Sequence, residues 1–196
     1  MNASQPASSR QDHRLAFFRG FLKKPREVGS VIPSSRFLEK QIVRSADLAS
    51  AKLAIELGPG TGGTTRAFLR QMAPDARLFA IEINPRFARL LRHTIEDERL
   101  IVHEGSATEI EEALAEHGLP TPDVILSGIP FSTMPRQLGI EVLESVKRTL
   151  APGGRFVAYQ FRDRVEMLGR QVFGPAQSRL ELRNVPPMRV YRWDKR

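Results

Sequence analysis

From Leu53 onward the chain alternates short apolar runs with amphipathic stretches, and this alternation restricts the fold more than any other feature. The runs are 53–57 (LAIEL), 77–83 (RLFAIEI), 100–103 (LIVH), 123–127 (DVILS) and 155–161 (RFVAYQF). Between them, helical spacing predicts helices over 63–73, 85–95, 108–117 and 136–150. Strands that are apolar nearly throughout are buried on both faces, and helices between successive strands are the crossovers of a parallel sheet. A helix over 36–48 precedes the first strand, and 179–193 reads as two more strands around Pro186–Pro187, an antiparallel hairpin. The expected fold class is α/β, one domain over 36–196.

Ahead of that domain, 1–11 reads as a disordered polar tail and 12–35 as a short helix followed by a loop. The helix runs from Asp12 to Lys24 and stops near Pro25. Leu15, Phe18 and Leu22 recur at helical spacing with Phe17 and Phe21 beside them, while Arg14, Arg19, Lys23 and Lys24 supply charge. The formal net charge of +8 is unevenly placed. Residues 1–26 carry six basic side chains and one acid, 27–154 carry 14 and 17, and 155–196 carry ten and four. Two basic ends around a mildly acidic middle point to a polyanionic partner, either nucleic acid or an anionic membrane surface. The chain has no cysteine, which removes thiol nucleophiles, thiolate metal sites and disulfides. No apolar run reaches the roughly 18 residues of a membrane-spanning helix.

Residues 56–63, ELGPGTGG, lie between the first strand and the first crossover helix. Glycines there permit a tight turn and let the backbone approach a ligand at the strand's carboxyl end. Pro59 removes one backbone donor, which suits a nucleoside better than a diphosphate. Glu56 puts negative charge beside the ligand and favours a cationic group. Glu82 ends the second strand, 24 residues after Gly58, where a carboxylate accepts from both hydroxyls of a ribose.

With ELGPGTG, the acid of AIEINP at 80–85 and LAPGGRF at 150–156, the sequence resembles the S-adenosylmethionine-dependent methyltransferases. The resemblance implies a Rossmann-like, seven-stranded, mostly parallel sheet with an antiparallel C-terminal strand and helices on both faces. It also implies S-adenosyl-L-methionine as cofactor and S-adenosyl-L-homocysteine as product. Glu56, Gly58, Pro59, Gly60 and Thr61 would hold the amino-acid part, Glu82 the ribose and Ile83 the adenine. Ser106 and Ala107, in EGSA, fall where many relatives carry an adenine-facing Asp.

The acceptor loop would be SGIPF, Ser127, Gly128, Ile129, Pro130 and Phe131, after the fourth strand. Methylation of adenine's exocyclic amine needs a side-chain oxygen and a carbonyl to accept the amine hydrogens, because that lone pair is delocalised. Relatives that do this carry Asn or Asp where this chain has Gly128. A primary alkyl amine, of pKa near ~10, needs only to lose a proton and be aligned. Tyr159 is a candidate catalytic residue that would donate to or accept from the amine or its phosphate. Phe131 would pack on the ammonium by cation–π attraction or form a plain apolar wall.

FLKKPREVGSVIPSSRFL at 21–38, together with SGIPFSTMP, further resembles the bacterial phospholipid N-methyltransferases, which are similar to ribosomal RNA adenine dimethyltransferases. That resemblance implies stepwise methylation of phosphatidylethanolamine towards phosphatidylcholine, with a phospholipid substrate and an anionic membrane surface as partners. Gly128 argues against nucleic acid as the partner, an RNA adenine N-methyltransferase being the alternative reading, and no obligate protein partner is implied. The enzyme would be cytoplasmic, held peripherally at the inner face of the cell membrane. Phe17, Phe18, Phe21, Arg19, Lys23 and Lys24 would be the membrane-binding residues. The four histidines are dispersed; His103 reads as a core residue, and no metal is expected.

Overall fold

The computed structural model describes residues 34–196. The expectations placed on Phe17, Phe18, Phe21, Arg19, Lys23, Lys24 and most of the 12–35 segment lie outside the described residues.

Helix α1 (Arg36–Ala46) leads into the sheet. There follow β1 (Leu53–Leu57), α2 (Gly63–Leu69), β2 (Arg77–Glu82), α3 (Pro85–Thr94), β3 (Leu100–Glu104), α4 (Ile110–Glu116) and β4 (Val124–Ser127). The chain ends with α5 (Arg136–Thr149), β5 (Arg155–Gln160), α6 (Arg164–Phe173), β6 (Gln177–Glu181) and β7 (Met188–Asp194). One seven-stranded sheet has the order β3-β2-β1-β4-β5-β7-β6. Only β7 runs antiparallel to its neighbours, so β6 points the same way as β1 to β5. The strand order reverses between β1 and β4, and a doubly wound sheet opens its ligand crevice at that place, outside the carboxyl ends of the strands.

Every residue of β1 and β4 is buried, as the uninterrupted apolar runs require of central strands. Alternate residues feed two cores. Leu53, Ile55 and Leu57 face the side covered by α4, α5 and α6, whereas Ala54 faces α1 and α2. On β5, Phe156 and Ala158 take the first side; Val157 and Tyr159 take the second. Helix starts follow local chemistry. Ser35 Oγ accepts the Leu38 N–H at 3.2 Å before α1, and Asn84 Oδ1 accepts the Arg86 N–H at 3.0 Å with Pro85 opening α3.

Two departures from the sequence reading have physical causes. Helix α6 was not anticipated, although Val165 and Leu168 lie on one face and are buried against the sheet. His103 belongs to β3, which is an edge strand. It is therefore half-buried rather than in the core, with Nδ1 3.2 Å from Nε2 of His117 and 3.9 Å from a Glu116 oxygen. Residues 14 apart in sequence thus form the one His/Glu group with metal-ligand proximity among those described, a juxtaposition that dispersed spacing did not suggest.

Candidate active site

Four segments converge at the carboxyl edge of the sheet: the loop after β1, the end of β2, the loop after β3 and the loop after β4. Backbone hydrogen bonds tie them together. Gly58 N–H donates to Ile81 O at 3.0 Å, Gly105 N–H to Glu82 O at 3.1 Å and Gly128 N–H to Leu57 O at 3.0 Å.

Glu56 is fully buried beneath the glycine loop. Its two oxygens accept from Thr64 Oγ1 at 2.5 Å and Thr65 Oγ1 at 2.7 Å, so α2 holds the carboxyl in place from its first turn. Burial pushes its pKa up to about 7, against the pull of the two hydroxyls and with a push from Glu82. Glu82 is also buried; Oε2 accepts from Gly60 N–H at 2.9 Å and Oε1 from Asn84 N–H at 2.8 Å. Burial raises its pKa too, opposed by those backbone donors. Neither acid has an ion-pair partner among the described residues, so the crevice is a site of negative potential without a cation.

Gly58 adopts φ +70, and a Cβ there would lie 3.1 Å from Ile129 Cγ1. The loop after β1 and the loop after β4 therefore touch each other, and only a residue lacking a side chain fits at the contact. Gly60 opens in the other direction: no atom lies within 4 Å of where its Cβ would stand. Pro59 is buried, Thr61 exposed and Ile83 half-buried. Ser106 and Ala107 are buried. The Ser106 hydroxyl is engaged locally, 2.8 Å from Thr108 Oγ1 and accepting the Thr108 N–H at 3.2 Å.

On the acceptor side, Ser127 is buried and its Oγ accepts from Ile129 N–H at 3.3 Å. A Cβ on Gly128 would come within 2.8 Å of Tyr159 Oη and 3.3 Å of the Gly58 carbonyl oxygen. The hydroxyl and the carbonyl thus fill the space that a side chain at 128 would need. Tyr159 is buried, its hydroxyl 3.4 Å from Thr64 Oγ1, and burial with the Glu56 charge lifts its pKa far above the usual phenol range. It stays protonated at neutral pH, so it can donate a hydrogen bond but does not act as a base. Phe131 is fully buried and packs in the core with Met134 and Leu168; its ring lies under the loop and presents no face to the crevice. Pro130 is half-buried.

A family model described as a methyltransferase domain matches residues 55–156. The chain belongs to the S-adenosylmethionine-dependent methyltransferases. An ornithine lipid N-methyltransferase of Singulisphaera acidiphila is 32% identical over 89% of this chain and 92% of its own. A ribosomal RNA small subunit methyltransferase A of Maricaulis maris is 40% identical, but over only 48% of this chain and 32% of its own. Among solved structures, an O-methyltransferase of Bacillus cereus aligns with a TM-score of 0.69 at 14% identity, covering 93% of this chain and 90% of its own. The N-methyltransferase NodS of Bradyrhizobium japonicum, in complex with S-adenosyl-L-homocysteine, aligns at 0.65 and 15% identity, covering 89% and 97%. At such identities these structures establish the fold.

The methyltransferase crevice suits its cofactor. Two buried acids without a cation favour a ligand bearing a sulfonium and an ammonium, and the open side of Gly60 leaves room for it against the loop. When bound, S-adenosylmethionine supplies an electrophilic methyl group. Residues that the sequence reading passed over complete the site. Thr64 and Thr65 hold Glu56, and Gln160 Nε2 donates to Ile129 O at 2.7 Å, fixing the acceptor loop to β5. The signal available in the sequence was a pair of hydroxyl residues in the first turn after the glycine loop.

Proposed function

We propose that the acceptor is the primary amine of a membrane lipid, with phosphatidylethanolamine methylated towards phosphatidylcholine. The observation that carries this is Gly128. Where adenine-methylating relatives place an Asn or Asp, this chain has a glycine, and the Tyr159 hydroxyl and the Gly58 carbonyl stand where a side chain would go. Without a side-chain acceptor at 128, the loop suits an sp3 amine, whose nitrogen is nucleophilic once it has lost its proton, better than a delocalised exocyclic amine. S-adenosylmethionine, which Glu56, Gly58, Gly60 and Glu82 would hold, would supply the methyl as an electrophile; the deprotonated amine would take it up in line, and its spare N–H proton would pass to an acceptor or solvent. The 32% identical relative, named for a lipid amine, supports the same class and favours a second reading in which the lipid carries ornithine.

The test is transfer of labelled methyl from S-adenosylmethionine into vesicles containing phosphatidylethanolamine, ornithine lipid or neither, with ribosomal RNA in a parallel reaction. Label that requires phosphatidylethanolamine supports the first reading, and label only with ornithine lipid supports the second. Label in RNA alone refutes both.

A further inference from the structure

Six large hydrophobic side chains are exposed among the described residues, and five of them fall between positions 161 and 185, on α6, β6 and the loops after β5 and β6. They are Phe161 at 58%, Met167 at 53%, Leu180 at 47%, Leu182 at 69% and Val185 at 87%; the sixth, Leu90, lies on α3. Strand register places them. Gln160 on β5 pairs with Arg189 on β7, which pairs with Leu180 on β6. Gln160, Arg189 and Leu180 therefore form one row, spanning about 10 Å at the usual strand spacing. The same row contains the acceptor loop, through the bond from Gln160 Nε2 to Ile129 O. Phe161, Leu182 and Val185 continue past this row in the carboxyl direction of β5 and β6, the edge onto which the crevice opens.

Cations surround these side chains. Residues 161–189 hold six arginines and three acids. Two of the acids are taken within the segment, Glu166 by Arg170 at 2.6 Å and Glu181 by Arg183 at 2.8 Å. Helix α1 adds Arg36, Lys40 and Arg44 along one side, lining with Arg179 a groove of about 740 Å³ between the helix and β6. The Ser35 N–H donates to Asn184 Oδ1 at 2.9 Å and the Arg183 guanidinium lies 4.2 Å from the Phe37 ring centroid, so the start of α1 is fastened to the hairpin tip. An apolar rim within a cationic surround is the pattern of a surface that enters an anionic bilayer.

We propose that the β6–β7 hairpin tip, with Phe161 and Met167, is a membrane-docking edge that seats the crevice mouth on an anionic phospholipid surface. Leu182 and Val185 enter the headgroup layer, and the arginines and the α1 cations meet lipid phosphates. A lipid amine then reaches the loop after β4 without leaving the bilayer interface. The inference rests on the lipid-amine reading of the site, and it adds a contact separate from the N-terminal segment.

The absence of cysteine makes the test direct. The full chain carrying Val185→Cys, or Leu90→Cys as control, is labelled with a polarity-sensitive dye and mixed with vesicles of phosphatidylglycerol and phosphatidylethanolamine. A blue shift at position 185 and none at 90, weakened by salt, is expected. A second variant, Leu182→Asp with Val185→Asp, should bind these vesicles about tenfold more weakly or worse, while its affinity for S-adenosyl-L-homocysteine is unchanged. Protein that sediments with vesicles while the dye at 185 stays unshifted overturns the proposal. Unchanged vesicle affinity of the double variant, or no vesicle binding by the parent chain, also overturns it. A shift at 185 with no methyl transfer to any lipid amine would refute the acceptor reading and leave the docking edge standing.

Discussion

Replacing Glu56 with Gln isolates the cost of keeping a carboxyl under the glycine loop. In the folded protein its pKa is pushed from 4.5 to about 7, whereas the unfolded chain has the ordinary value. The folded state therefore binds the proton more tightly, and stability is greatest below pH ~4.5 and falls until the folded group has ionised near pH ~7. At 1.36 kcal/mol per unit, complete ionisation costs about 3 kcal/mol, of which about 2–3 kcal/mol develops between pH 5 and 8. The Gln variant lacks this slope. Measured without cofactor by urea denaturation at several pH values, the stability difference, variant minus parent, should grow by that amount as pH rises. In thermal melts of a domain this size, the growth corresponds to roughly 5–10 °C. Comparing the two proteins cancels every other titrating group. A difference that stays level or shrinks from pH 5 to 8 would refute the account of Glu56 as a strained buried acid.

The same substitution should weaken S-adenosylmethionine more than S-adenosyl-L-homocysteine, because only the former carries the sulfonium; calorimetric titration of both would show their affinity ratio move, and an unmoved ratio would remove the electrostatic role. Glu82→Ala leaves the Gly60 and Asn84 N–H groups without their acceptor, and cofactor affinity should drop at least about tenfold, on the order of 1–3 kcal/mol for one lost buried partner. Gly128→Ala puts a methyl 2.8 Å from Tyr159 Oη and 3.3 Å from the Gly58 carbonyl; the buried ring must move, so methyl transfer should be nearly lost and the melting temperature in the absence of ligands should fall by several degrees, about 1–3 kcal/mol of overpacking. Tyr159→Phe should lower kcat without moving the alkaline limb of the pH–rate profile, since the phenol is held protonated far above neutral pH; a displaced limb would make Tyr159 the base.

Much of the fold was readable because central parallel strands must be apolar on both faces, and such runs, separated by crossover helices, have few alternative arrangements. Pro186–Pro187 likewise marked the hairpin. What escaped depended on contacts between distant segments. Nothing about His103 and His117 at 14 residues' separation reveals that an edge strand and the end of α4 bring their rings together. The tight turn after β1 was legible from Gly58 and Gly60, since backbone geometry leaves its imprint as glycine, and Glu82 stands beside it, accepting the Gly60 N–H. The acceptor side was less so. Phe131 reads equally as a cation-binding ring or as core, and only its complete burial in the structure assigns it to the core. Gln160 reads as the polar end of a strand until its bond to Ile129 O is seen.

The contact between Gly58 and Ile129 joins the two halves of the crevice mechanically. The loop proposed to take the cofactor leans on the loop proposed to take the amine, and a Cβ at 58 would already stand 3.1 Å from Ile129 Cγ1. Where occupancy of one half alters the affinity of the other, thermodynamic reciprocity makes the influence equal in both directions. Retuning such an enzyme for a bulkier amine through 128–131 would carry over into its hold on the methyl donor. A change of acceptor would have to be accompanied by adjustment at 58–61.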